Sequence, residues 1–536
     1  MPDLMPAPSR EAPARRVLKR LFLLALGLVL LLAWLWHQRF GAPEDFDRME
    51  DQFKYGSIGA DHPMAQAPIP YWLWKVLPDI LPPASTLPLN LVPVNPVNSY
   101  EAFGLVAEPQ RSLPQAHAAG QPTFERPIGF SRRRVLGMDF VGMNCAFCHL
   151  GTYKDSEAAP RQIVLGGTGN AVDIEQYFLY LFSALTHERF NADVVMPAVE
   201  AELIRQRAEL GWVQRLLYRH VIIPNLPRYL KGLEKDKFDF IFPNNPKRLP
   251  EFGPGRVDTW GLYKRVFVNP PQHDSIAGTS DFTSLWNQKE RFGMRLHWDG
   301  NTDVLVERNV VSALSLIGKR IEYLDFKRLA RVTDWITGVL PPRYADRFPQ
   351  SLKQSGQVAI AGELAARGAT VFAAECARCH AMGADRIGRV EPIVDLGTDP
   401  TRIAAFTPAL RDGLNTLGTD EWQLRHFELQ NGYVNAPLDG AWLRAPYLHN
   451  GSVPTLRDLL NAPENRPARF CRGGEVYDWR NLGYFSATAQ LNGRESCGNL
   501  FLYDTAVRGN SNKGHRYGTV LSDADKEALL EFLKTL

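Results

Sequence analysis

The longest apolar run lies at the N-terminal end. Leu21 to Trp36 carry no charge, and Arg15, Arg16, Lys19 and Arg20 precede them. Val17 and Leu18 extend the run, and a Leu-rich helix with no polar face predicts a transmembrane anchor over residues 17–37. The run ends Trp-Leu-Trp-His-Gln-Arg-Phe, without the small residues that a signal-peptidase site needs, so the anchor is expected to stay uncleaved. The basic residues before it predict a cytoplasmic N-terminus, residues 1–16. The remainder is then expected in the periplasm, held by a single pass through the inner (cytoplasmic) membrane.

Beyond the anchor, residues 41 to about 110 mix prolines with Tyr71, Trp72 and Trp74 and read as an irregular segment wrapping a domain surface. Ile174, Tyr177, Phe178, Leu181 and Leu185 recur at helical spacing, and so do positions from Val195 to Leu217. Residues 241–300 are loop-rich, with Asn244-Asn245-Pro246 and Gly253-Pro254-Gly255, and 302–340 again predict helix. A polar, Pro-containing stretch at 341–355 precedes a helix over Ala359–Ala374, and the last helix, capped at Ser522 with Asp525 three residues on, runs to Leu536. Alternating runs are few. The expected fold is mainly α: two cytochrome c-like domains with long loops, residues 38–345 and 346–536, after one N-terminal transmembrane helix.

Length agrees, since 536 residues exceed what one core usually holds. The formal charge of +3 gives no reason to expect a nucleic-acid partner. Of six cysteines, four fall in two motifs, Cys145-Ala-Phe-Cys148-His149 and Cys376-Ala-Arg-Cys379-His380. In Cys-x-x-Cys-His the thiols add to the haem vinyl groups, and the adjacent imidazole supplies an axial nitrogen to iron. Zinc would need cysteines far apart in sequence to converge and would leave both histidines unexplained. Two covalently bound haems c are therefore expected. The remaining cysteines, Cys471 and Cys497, share one C-terminal stretch and predict a disulfide in an oxidising compartment.

Further motifs are spread along the chain: Gly255-Arg256-Val257-Asp258, Trp298-Asp299-Gly300-Asn301, Arg308-Asn309 with Ala313-Leu314, Arg444-Ala-Pro-Tyr-Leu-His449-Asn-Gly-Ser-Val-Pro-Thr-Leu, and Gly509-Asn-Ser-Asn-Lys-Gly-His515. With the haem pair, the chain resembles the di-haem cytochrome c peroxidase superfamily, and within it the branch that includes the bacterial rubber oxygenases. The resemblance implies a C-terminal electron-transfer haem with two protein ligands and an N-terminal haem where peroxide or dioxygen reacts. It also implies a Ca2+ ion between the haems, with no ligands assigned.

For the second haem, His515 and His449 compete as sixth ligand. His515 occupies the position where relatives place theirs, and bis-His ligation would lower the potential relative to His/Met. After His149, residues 150–172 hold no His or Met, so the first haem is expected to rest open or to take a distant residue. In Phe292-Gly-Met-Arg-Leu-His297-Trp298, His297 is a candidate ligand or acid–base group, against an ordinary hydrogen-bonded histidine. Phe292 and Trp298 are candidates for an apolar distal wall, against plain core. Arg256 would pair with a haem propionate or with an acidic side chain.

Three functions follow. One is a peroxidase-like oxidoreductase passing electrons from the second haem to the first. Another is an oxygenase of the rubber-cleaving kind. The third is an anchored electron carrier without catalysis. A redox partner protein or a membrane electron donor is expected in each.

Overall fold

The computed structural model describes residues 17, 20–30, 32, 43–63, 65, 68–83, 99–108, 126–242, 249–491 and 494–536. Helix accounts for 43% and strand for 13%, which corrects the mainly α expectation. Among the described residues the strands form seven separate antiparallel pairs rather than one sheet. The longest pair, Phe130–Val135 with Met138–Met143, leads directly into the first haem motif. Leu136 and Gly137 close it, both at positive φ, as tight hairpins require. Three consecutive arginines, Arg132 to Arg134, hid this hairpin by breaking the alternation that marks a strand.

The membrane helix is the second correction. The described part of the apolar run, residues 17, 20–30 and 32, is helical. No helix among the described residues is long and apolar enough to cross a membrane. Residues 1–16, 18–19, 31 and 33–42, with Trp34 and Trp36, lie outside the described residues, as does Asn244-Asn245-Pro246. The single-pass inner-membrane placement, with its periplasmic haem domains, is therefore withdrawn.

The aromatic segment near residue 71 forms core instead of wrapping a surface. Helix Tyr71–Ile80 buries Tyr71, Trp72 and Trp74. Trp74 stacks on Tyr100 with ring centroids 4.5 Å apart, and the Tyr100 hydroxyl donates to the Trp74 carbonyl at 2.6 Å. This core continues through Phe130 and Phe147 to Tyr177 on helix Ile174–Thr186. A second core joins Trp260, Val310 and Leu314 to Leu410 and Phe427, and a third joins Tyr153 and Trp286 to Trp442, Tyr477 and Trp479. Each of the last two draws on residues from both sides of residue 345.

Helices Leu305–Ile317 and Phe326–Thr337 fall where the apolar spacing placed helix. Helix Gly362–Glu375 delivers the second haem motif, and it packs along the last helix, Asp523–Leu533. Gly368 makes that approach feasible, because a Cβ there would lie 1.9 Å from the Ala528 carbonyl oxygen. Ser522 caps the last helix by accepting from the Asp525 amide.

Candidate functional site

The first motif is a single tight turn, Cys145–Phe147, following the hairpin. Asn144 fixes its start. Its Oδ1 accepts from the Ala146 amide, and its Nδ2 donates to the Lys54 and Gly56 carbonyls. His149 Nδ1 lies 2.8 Å from the Thr283 carbonyl oxygen. Donation there fixes the tautomer and leaves Nε2 as the free lone pair, the usual arrangement of a metal-ligating histidine. Burial, with help from Arg308, pushes the imidazole down to about 3, so it stands neutral.

Cys145, Cys148 and His149 face a cavity of about 360 Å³. Its wall is mostly aliphatic and aromatic, including Phe147, Tyr177, Phe178, Leu181, Trp260 and Phe282. Thiols and imidazole lining a mostly apolar cavity fit a covalently held haem.

His297 and Trp298 line the same cavity. His297 holds the left-handed conformation at φ 62°, and its Nδ1 is 2.7 Å from Asn301 Oδ1. Burial pushes it down to about 4, again neutral with Nε2 free. Trp298 donates from Nε1 to the Asp281 carbonyl at 2.9 Å. Phe292 is 65% exposed and stands away from the cavity, because it follows a surface turn, Gln288–Arg291. The distal-wall expectation fails for Phe292.

Arg256 is also elsewhere. It is fully buried, donates to the Phe252 carbonyl at 3.0 Å and to Asn510 Oδ1 at 2.7 Å, and lies over the Tyr503 ring. Asp281 is 3.9 Å from its Nε. Its fork is committed to a network that ties residues 252–256 to 503–510, so it takes the structural alternative rather than the propionate one. The cations that do reach the cavity are Lys237, Arg308 and Arg402.

At the second motif, His380 repeats the tether: Nδ1 lies 2.8 Å from the Ala436 carbonyl oxygen. Opposite it stands His515, with ring centroids 6.4 Å apart. Two imidazoles sharing one metal, each bonded at about 2 Å, have centroids about 6 Å apart. The spacing therefore fits one iron between them. His515 is half-buried, with its Nδ1 buried and unpartnered, and sits at φ 47°. Arg466 clamps its loop by donating to the carbonyls of Asn512, Gly514 and His515 at 2.7, 2.9 and 3.0 Å. Gly514 packs on Leu396 and Gly397 where a Cβ would come within 2.4 Å. His449 instead stacks on Tyr433 with centroids 3.9 Å apart, away from His380. It is a packed core histidine in this fold.

Cys471 and Cys497 form the expected disulfide. Among the described residues no group of three or more His, Cys, Asp or Glu could hold a further metal ion, so the Ca2+ expectation acquires no side-chain site. Thr283, Ala436 and Arg466 escaped the sequence reading. The first two act through backbone carbonyls, which carry no residue signature, and Arg466 reaches its loop only in the folded chain.

Thiols poised beside an imidazole with a free Nε2 identify a c-type cytochrome that binds haem c. Comparison with other proteins extends this. Residues 432–471 match the family described as RoxA-like, cytochrome c-like. The uncharacterized protein y4iJ of Sinorhizobium fredii is 31% identical over 537 positions, covering 81% of this chain and 84% of that one. The uncharacterized protein y4iM of the same organism is 30% identical over 307 positions, covering 49% of this chain and 66% of that one. The chain belongs to one family with y4iJ, a RoxA-like cytochrome family.

Proposed function

We propose that the protein is a haem-dependent oxidoreductase of peroxidase type, with a closed haem at Cys376–His380 feeding electrons to a reactive haem at Cys145–His149. The observation that carries this is asymmetry. His380 has an imidazole across from it at the spacing of one iron, while His149 faces a cavity. The haems supply the redox chemistry, and the chain supplies binding, orientation and proton handling.

His297 is the acid–base group in this reading. It is neutral, its Nδ1 is engaged by Asn301, and its Nε2 can take a proton from a substrate in the same cavity. A protein route joins the two motifs. The Val434 amide donates to the Trp298 carbonyl at 2.9 Å, and two residues on, Ala436 holds His380. Trp298 itself lines the cavity. A redox partner protein supplies the electrons.

The test is spectroscopic. Pyridine haemochrome analysis should return two haems per chain, and magnetic circular dichroism should show one low-spin bis-His centre and one that changes on adding peroxide. The half-reduced protein should consume peroxide. Two low-spin haems inert to peroxide and dioxygen would leave only electron carriage. A second reading, oxygenation of an apolar substrate, is favoured by the cavity wall of Phe178, Leu181, Leu230 and Phe238. It predicts dioxygen uptake with such a substrate and no turnover with peroxide.

A further inference from the structure

The buried arginines of this fold mostly face carboxylates. Arg402 is 3.3 Å from Asp299, Arg472 is 2.8 Å from Asp281, and Arg265 pairs with Asp239. Arg308 differs. It is 7% exposed, and among the described residues no carboxylate pairs with it. Nη1 donates to Asn309 Oδ1 at 3.3 Å, and Nη2 reaches Thr283 Oγ1 at 3.4 Å. Thr283 is the residue whose carbonyl holds His149. An unpaired buried guanidinium is costly to the fold.

Arg308 also lines the cavity. Helix Leu305–Ile317 fixes it there, with Glu307 turned outward to the amides of Arg425 and His426. The second site has no equivalent. The guanidinium near His515 belongs to Arg466, whose N–H groups go to loop carbonyls, and Glu464 is beside it in the chain. The one near His380 belongs to Arg444, which pairs with Asp439 at 3.1 Å.

We infer that Arg308 is a positioning residue that sets the reduction potential of the haem at His149, acting from behind Thr283 to favour its reduced state. The inference rests on the reading that this motif carries a reactive haem. Reduction adds one electron and removes one positive charge, so a fixed cation in a low-dielectric site favours the reduced form. The tether has the same sense. A carbonyl partner leaves the His149 imidazole neutral, where a carboxylate would push electron density to the metal and favour the oxidised form.

The experiment is a mediated spectroelectrochemical titration of the whole protein, one electron per haem from the mediator dye, following the two haems at separate wavelengths. The wild-type haem count and spin states come first, and failure there sinks the reactive-haem reading on its own. With two haems present, Arg308→Gln should raise the ferric-to-ferrous ratio of the first haem at least tenfold at fixed potential, about 59 mV for one electron. The second haem should not move, and Arg308→Lys should restore most of the shift. If Arg308→Gln fails to take up haem, Thr283→Val carries the test. It keeps the carbonyl and removes the hydroxyl contact, and should shift the same haem in the same direction by less. An unchanged first haem, or equal shifts in both, overturns the inference.

Discussion

The two Cys-x-x-Cys-His units share a chemistry and a tether but little else. The second arrives at the end of a helix packed on the last helix, and its partner imidazole comes from a loop clamped by three carbonyl hydrogen bonds from Arg466. The first arrives from a β-hairpin, and the wall beyond it is mostly apolar side chains, with His297 and Arg308 among the polar ones. The difference teaches where reactivity is permitted. A metal closed on both sides by rigidly held imidazoles can exchange electrons but not bind substrate. A metal with one imidazole beneath an apolar cavity can do both.

The largest test of this contrast removes one unit at a time. Replacing Cys145 and Cys148 with alanine should leave one haem per chain, low-spin and inert to peroxide. Replacing Cys376 and Cys379 should leave one haem that still reacts with peroxide but is no longer re-reduced within the chain. Haemochrome stoichiometry and stopped-flow absorbance read both. If the first variant kept peroxide turnover, the roles assigned to the two sites would be reversed.

Next in size is His515→Ala. It should open the second centre, converting its low-spin spectrum to one that binds added imidazole, while the first centre is unchanged. His449→Ala should leave that spectrum low-spin, since His449 stacks on Tyr433 rather than facing His380. An open second centre in the His449 variant would reinstate the rival ligand.

These two histidines show what was legible in the chain. The haem motifs are contiguous, so spacing alone suggested them, and His515 was favoured because the resembled family places its ligand shortly before the last helix. Its rival His449 could not be dismissed without the Tyr433 ring. Arg256 looked like a propionate partner because a guanidinium has the right shape; only folding shows its fork spent on Phe252 and Asn510. Phe292 was chosen for being near His297 in sequence, yet it ends the surface turn Gln288–Arg291 and stands exposed. The apolar run at the N-terminus read as a span from its hydropathy, whereas no helix among the described residues is long and apolar enough to cross a membrane. The hairpin before the first motif was missed because arginines occupy a strand whose neighbours carry the burial.

A smaller effect is expected at His297. In the peroxidase reading, His297→Gln should lower the rate of peroxide reduction by about 10²–10⁴-fold without altering the resting spin state. Burial holds this imidazole down to about 4, so a base acting there is competent while neutral. The wild-type rate should be flat from neutral pH downward and fall only as pH drops through about 4, where the base takes up a proton. The Gln variant should lose that acid limb. A spin-state change in the variant would make His297 an iron ligand instead, and the first site would then be closed like the second.

The smallest effect should leave both haems alone. The Cys471–Cys497 disulfide staples strand Arg469–Arg472, from which Arg472 reaches Asp281 and the Pro254 carbonyl beside the first site. Replacing both cysteines with serine should cost about 2–4 kcal/mol of stability, mainly by freeing the unfolded chain. Denaturant unfolding would measure it. Because Arg472 also pairs through Phe501–Asp504, its strand keeps a backbone partner after the disulfide is gone. The spectra of both centres should therefore survive unchanged in the folded protein. A selective change at the first centre would mean that the link through Arg472 and Asp281 sets the shape of its cavity, and that the two sites differ in stability as well as in coordination.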